Sequence, residues 1–290
     1  MLRLSPLIAL CPLLGGCLPA GGSLLDPAGP VALQQRAWLI EITLWMMIVI
    51  LPVFILVPLV AWRYRRRRRA DYAPGWTFSW PLEFIVWGVP CLVVAGMAWL
   101  ILAREQPLGP ARPLPGDAPP LQVEVVALDW KWLFIYPQSG LATVDRLVIP
   151  RGRQVALHLT SDATMQSFFI PALGSQIYAM AGMVTSLHLR ADRPGTLSGM
   201  NTQFNGMKFQ DDRFEVDVLD PDAWQAWQAA HAGAPALDAH AYRVLTNPGD
   251  LKQTLHDFGQ PPDARLAFTA PNGLFASIVA HSAQMPGEMK

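Results

Sequence analysis

Arg63 and the unbroken run Arg65 to Arg69 stand between two long apolar segments, and this placement constrains the chain more than any other feature. The apolar segments cover residues 37–62 and 82–103. A helix needs ~20 residues at ~1.5 Å each to cross a hydrocarbon core of about 30 Å, so each segment reads as a transmembrane helix. Carrying the guanidinium groups through a bilayer is costly, which holds the loop at 63–81 in the cytoplasm and puts both flanking parts outside. An arginine run at the end of a soluble domain would read as a nucleic-acid-binding tail. Wedged between two spans it reads as a topology signal, and no nucleic-acid partner is expected.

The rest of the composition fits a membrane protein. Charged residues make up 15% of the chain, against a soluble average of roughly 25%. The three cysteines, Cys11, Cys17 and Cys91, lie in or beside apolar segments, so the long outer part has no thiol for a disulfide, a metal or catalysis. Residues 1–16 have a short basic start, an apolar run and small residues before Cys17. This pattern resembles a bacterial lipoprotein signal, with cleavage before Cys17 and lipidation of its sulfur. An ordinary signal peptide with an incidental cysteine is the alternative. Residues 17–36 form an outer connector.

Glu83 is the charged residue of most interest in the membrane portion. It falls about one turn inside the second span, where a lone carboxylate is costly unless it is paired or reaches water. An interfacial Glu favouring a helix N-terminus and the mouth of a proton path in a partner subunit both fit that position.

Residues 104–120 are proline-dense and read as a linker. From Leu121 the texture changes to short strand patterns: 121–125, 130–136, 144–149, 155–160, 186–190 and 214–218. Residues 121–219 thus predict a small antiparallel β-sandwich or barrel. Residues 220–290 predict a helical extension, opening on a helix with Asp220 as N-cap and Pro221 at its first position. His158 and His188 are expected to face outward on separate strands.

Two stretches resemble subunit II of bacterial haem–copper oxidases. One is Ala127-Leu128-Asp129-Trp130-Lys131-Trp132-Leu133-Phe134-Ile135-Tyr136-Pro137, similar to the family's aromatic strand; the other runs from Met165 to Met183. The second is close to the quinol-oxidising, cytochrome bo-type branch. The resemblance implies a membrane-anchored α+β chain: a two-helix hairpin, an extracytoplasmic cupredoxin-like sandwich and the C-terminal extension, in a bacterial inner membrane.

In the branch that takes electrons from cytochrome c, this domain binds two coppers. Its ligands are two histidines, two bridging cysteines, a glutamate carbonyl and a methionine. Laid on this sequence, those positions are Gln166, Asn201, Gln203, Asn205, Phe209 and Asp212. A copper pair needs soft thiolate bridges, and no cysteine follows Cys91. No metal in this chain and no soluble cytochrome c as partner are therefore expected. Met200 and Met207 are expected to fill the old metal site with apolar surface.

The resemblance further implies a non-catalytic subunit of a proton-pumping ubiquinol oxidase that reduces dioxygen to water. Haems and one copper would sit in partner subunit I, beside further small membrane subunits. Glu83 matches a family glutamate near the entrance of the lysine-type proton path, and Trp130 and Trp132 are expected as subunit-interface aromatics. A stand-alone, membrane-tethered cupredoxin-like binding or assembly protein is the alternative.

Overall fold

The computed structural model describes residues 23–65, 75, 77–104, 109–116 and 118–284. The signal segment, Cys17 and Arg66 to Arg69 lie outside these described residues. The chain divides into two units. One comprises residues 34–109; the other comprises residues 110–290 with the N-terminal part up to Leu33.

The first unit is a helical hairpin. Helix α1 spans Pro30–Arg63 and α2 spans Trp80–Arg104. At 34 and 25 residues they measure about 51 and 37 Å, enough to cross a hydrocarbon core. Helix α1 begins ahead of the apolar run at residue 37, and its interior prolines, Pro52 and Pro58, leave the helix continuous. Large apolar side chains stand exposed along both helices, among them Phe54, Val57, Phe84 and Leu92, as a lipid-facing surface requires. Between the helices, Gly96 lets the Trp45 ring approach, since a Cβ there would lie 3.3 Å from it.

The second unit is a two-sheet sandwich with a C-terminal extension. Its strands are β1 Leu121–Leu128, β2 Lys131–Tyr136, β3 Leu141–Val144, β4 Arg146–Pro150, β5 Gln154–Ser161, β6 Gln166–Phe169, β7 Gln176–Ala179, β8 Thr185–Arg190, β9 Gly195–Asn201, β10 Arg213–Leu219 and β11 Ala267–Thr269. One sheet has the order β11-β3-β2-β1-β5-β8, the other β4-β10-β9-β6-β7. The ladders are antiparallel except for β1 with β5 and β4 with β10, which run parallel.

The stretch 144–149, expected as one strand, is two. Asp145 sits between β3 and β4 with φ of 51°, and at this left-handed residue the chain leaves one sheet for the other. Its carboxylate holds the switch by accepting the Trp132 backbone N–H at 2.6 Å. Burial drives the Asp145 carboxyl well above the usual carboxylate range, and Asp212 nearby adds to the rise.

Strand β2 is buried on both faces, which explains the apolar run from Trp132 to Tyr136. Trp132, Phe134 and Tyr136 point into the sandwich, while Leu133 and Ile135 point into a second core beneath the extension. That second core includes Leu237, Leu245, Leu255, Phe268 and Ile278. The extension is helical over α3 Pro221–His231, α4 Ala239–Thr246, α5 Leu251–Asp257 and α6 Leu274–Ala283, but β11 also adds an edge strand to the larger sheet.

Asp238 and Asp250 cap α4 and α5 by accepting backbone N–H groups. Asp220 occupies the N-cap of α3 without a side-chain cap bond; its Oδ1 pairs with Arg151 Nε at 2.8 Å instead. Trp224 and Trp227 of α3 pack against Tyr136 with ring centroids 5.8 and 5.5 Å away, closing one end of the sandwich. The Tyr136 hydroxyl accepts the Val148 N–H at 2.7 Å and donates to the Val148 carbonyl at 3.0 Å.

Candidate functional site: the copper-ligand positions

The six positions that the resemblance sets against copper ligands lie on β6, the end of β9, and the loop from Asn201 to Asp212. Register brings them together: Phe168 of β6 pairs with Asn201 of β9, and the Asn201 N–H donates to the Asp212 carbonyl at 3.0 Å. Beneath them the Phe168 and Phe214 rings stack 4.9 Å apart, with Trp132 5.3 Å from Phe168. Gly199 makes room for this stack. A Cβ there would fall 2.1 Å from the Phe214 ring, so only glycine fits opposite Phe214.

A polar network occupies the site. Asn201 Nδ2 donates to Asp212 Oδ2 at 3.0 Å, and Asn205 Nδ2 donates to the same oxygen at 3.3 Å. Asn201 Oδ1 accepts the backbone N–H groups of Ser167 at 3.0 Å and Gln203 at 2.9 Å. Gln166 Nε2 donates to the Leu128 carbonyl at 2.5 Å. Gln166, Asn201 and Asp212 are buried, while Gln203, Asn205 and Phe209 are half-buried. Phe209 turns to Phe204, 5.9 Å away between ring centroids.

Burial raises the Asp212 carboxyl to about 6. The Asn201 and Asn205 amides act against that rise, and the Trp132 indole N–H lies near enough to do so without closing a hydrogen bond. A dinuclear copper centre does not fit this donor set. Its positions hold amides, a phenyl ring and one carboxylate that already accepts two side-chain donors. Among the described residues no group of three or more His, Cys, Asp or Glu is placed to hold a metal ion.

Three expectations change here. The filling is polar, because Met207 is 94% exposed and Asn201, Asn205 and Asp212 take the interior. Trp132 is no subunit-interface aromatic. Its alternation with Leu133 turns it inward, and it is 0% exposed in the sandwich core. His158 and His188 are half-buried and engaged: His158 contacts Gln122 Oε1 at 2.8 Å and Ser186 Oγ at 3.3 Å, and His188 contacts Gln154 at 2.8 Å.

Trp130 is half-buried with φ of 61°, an unusual conformation for a bulky residue, in the two-residue turn between β1 and β2. Its ring lies against Gly206, where a Cβ would come within 3.1 Å of it. Around this end of the β domain Met165, Tyr178, Met183, Val184, Phe204 and Met207 are exposed.

Lys131 has a structural role, signalled in the sequence by a lysine inside an apolar strand. It is 0% exposed and donates to the carbonyls of Asn247 at 2.7 Å and Gly249 at 2.8 Å. Desolvation lowers its pKa, opposed by Asp145 and Asp129. A second tie joins the extension to the β5–β6 loop: Asp162 accepts the Tyr242 hydroxyl at 2.7 Å and the Ser282 hydroxyl at 3.1 Å.

Glu83 lies in the first turn of α2, where its Oε2 accepts the Trp87 indole N–H at 3.0 Å. The bond joins i and i+4 on an exposed face. Cys17 lies outside the described residues.

The comparisons with known proteins agree with this anatomy. Residues 123–212 match the family model described as cytochrome c oxidase subunit II, periplasmic domain. The cytochrome bo(3) ubiquinol oxidase subunit 2 of Pseudomonas aeruginosa is 41% identical over 240 residues, covering 82% of this chain and 72% of that protein. The ubiquinol oxidase subunit 2 of Acetobacter aceti is 41% identical over 272 residues, covering 92% and 84%. The quinol oxidase subunit 2 of Bacillus subtilis is 34% identical over 306 residues, covering 98% and 93%. The two long apolar helices are the inner-membrane spans, and the β domain is periplasmic. With the fold and these relatives in agreement, the chain belongs to the subunit II family of cytochrome bo(3)-type ubiquinol oxidases.

Proposed function

We propose that this chain anchors and assembles a proton-pumping ubiquinol oxidase without carrying electrons itself. The observation behind this is the Asp212 network: amides and a carboxylate bonded to one another stand where an electron-carrying domain would need thiolates and imidazoles. Ubiquinol is apolar and arrives through the lipid, so a domain beside it has no need to dock a soluble cytochrome c. Haems and one copper, which would supply the reduction of dioxygen to water, belong in this proposal to subunit I.

The exposed Met165, Met183, Phe204 and Met207 suit a docking surface for subunit I, and Trp130 beside Gly206 belongs to the same end. Glu83 gathers or relays protons at the entrance of the lysine-type path of subunit I. Its place in the first turn of α2 and its half-buried carboxylate, steadied by Trp87, support that role. Lipidation of Cys17 would add a supplementary anchor to the two spans. Further small membrane subunits complete the assembly.

Extraction from membranes in mild detergent followed by gel filtration tests the assembly. Migration with haem-bearing chains and quinol-dependent oxygen uptake are the expected result. A haem-free single species would instead indicate a free-standing tethered protein.

A further inference from the structure

Among the described residues, seven buried side-chain polar atoms lack a hydrogen-bond partner, and six of them belong to the ligand loop and the strands beside it. The seventh, on Trp227, lies apart on α3. In the group are acceptors on Gln166 (Oε1), Asn205 (Oδ1) and Asp212 (Oδ1), indole donors on Trp130 and Trp132, and the Ser167 hydroxyl. Buried polar atoms are normally paired, and such a concentration in one place calls for an occupant.

The bonds already made show how these atoms gather. Asn205 and Asn201 both hold Asp212 through Oδ2, leaving Oδ1 free to point elsewhere. Trp132 acts on the same carboxyl. The Trp130 ring lies beside Gly206, the neighbour of Asn205. Gln166 shares the inward face of β6 with Phe168, which touches Trp132.

We propose that this cluster of unpartnered polar atoms is a hydration site, in which ordered water bridges Asp212, Asn205 and Gln166 to the indoles of Trp130 and Trp132. The mixed lining selects this occupant. A cation would meet two indole N–H groups, which donate and cannot coordinate it. An anion would meet the Asp212 carboxylate and two amide oxygens. Water both donates and accepts, and a buried water typically makes about three hydrogen bonds to groups of this kind. Loss of the metal thus leaves a wet polar centre, where packing alone would have favoured a dry one.

The test is a single-particle map of the full chain, in whatever complex it purifies with from the membrane, at a resolution that shows ordered solvent. Expected is density about 2.6–3.2 Å from Asp212 Oδ1 and Trp132 Nε1, with a further contact to Gln166 Oε1 or Asn205 Oδ1. In Asn205→Leu that density should disappear, the isobutyl group taking its space. A closed pocket, with Trp132 Nε1 donating straight to Asp212 Oδ1 and nothing between, overturns the proposal. So does density surrounded only by oxygens at about 2.4 Å, the signature of a bound cation. The wild-type map decides by itself if the variant does not fold.

Discussion

Asn201 Nδ2 donates to Asp212 Oδ2 at 3.0 Å, a bond between two side chains that the resemblance to the copper-binding branch sets at ligand positions. One buried side chain of the loop therefore satisfies another, and the loop keeps its shape through amide–carboxylate bonds.

The Asp212 carboxyl ties stability to pH. Its pKa is about 6 in the folded chain against 3.8 for the free group. A raised folded value means the native state binds the proton more tightly. The contribution is fully present below pH ~4 and is lost as pH rises through about 6, to the extent of roughly 3 kcal/mol. Denaturant melts of the wild type should lose stability across that window. Asp212→Asn should remove that part of the slope; an unchanged slope would show that Asp212 is not its source.

Lys131→Met should loosen the C-terminal extension. It strips the Asn247 and Gly249 carbonyls of a charged donor, at a cost of about 2–4 kcal/mol. Hydrogen exchange should quicken first in α4 and α5. Protection equal to wild type there would mean that the apolar core beneath the extension suffices alone.

Gly199→Ala should destabilise the sandwich by roughly 1–3 kcal/mol, because the added Cβ meets the Phe214 ring at 2.1 Å. Pairing it with Phe214→Leu should recover part of the loss. A double mutant worse than the sum of the two singles would contradict the clash as its cause.

Glu83→Ala should slow quinol-driven turnover and proton uptake several-fold while the complex still assembles. Glu83→Asp should retain more of the rate than Ala. Turnover and proton uptake equal to wild type would remove Glu83 from the proton path.

How far these features could be read beforehand varied with the physics behind each. The hairpin was plain because length, apolarity and the arginine loop all act locally along the chain. Strands β1 and β2 were plain for their apolar runs, but which face each residue takes was not. One step of alternation separates Lys131, under the extension, from Trp132, in the sandwich. The break at Asp145 is not legible locally because its cause is a bond to Trp132, thirteen residues earlier in the chain. Strands β6 and β7 are short, and β9 carries two glycines and polar residues, so their pairing depends on neighbours. The absence of cysteine after Cys91 is a property of the sequence alone. The Asp212 network with Asn201 and Asn205 emerges only from the fold.

The most direct test of the central claim is oxygen uptake by the purified complex, driven in parallel by a reduced ubiquinol analogue and by reduced soluble cytochrome c. Rapid uptake with the quinol and none above background with the cytochrome is the predicted result. Sustained uptake from cytochrome c, abolished by removing copper, would contradict it.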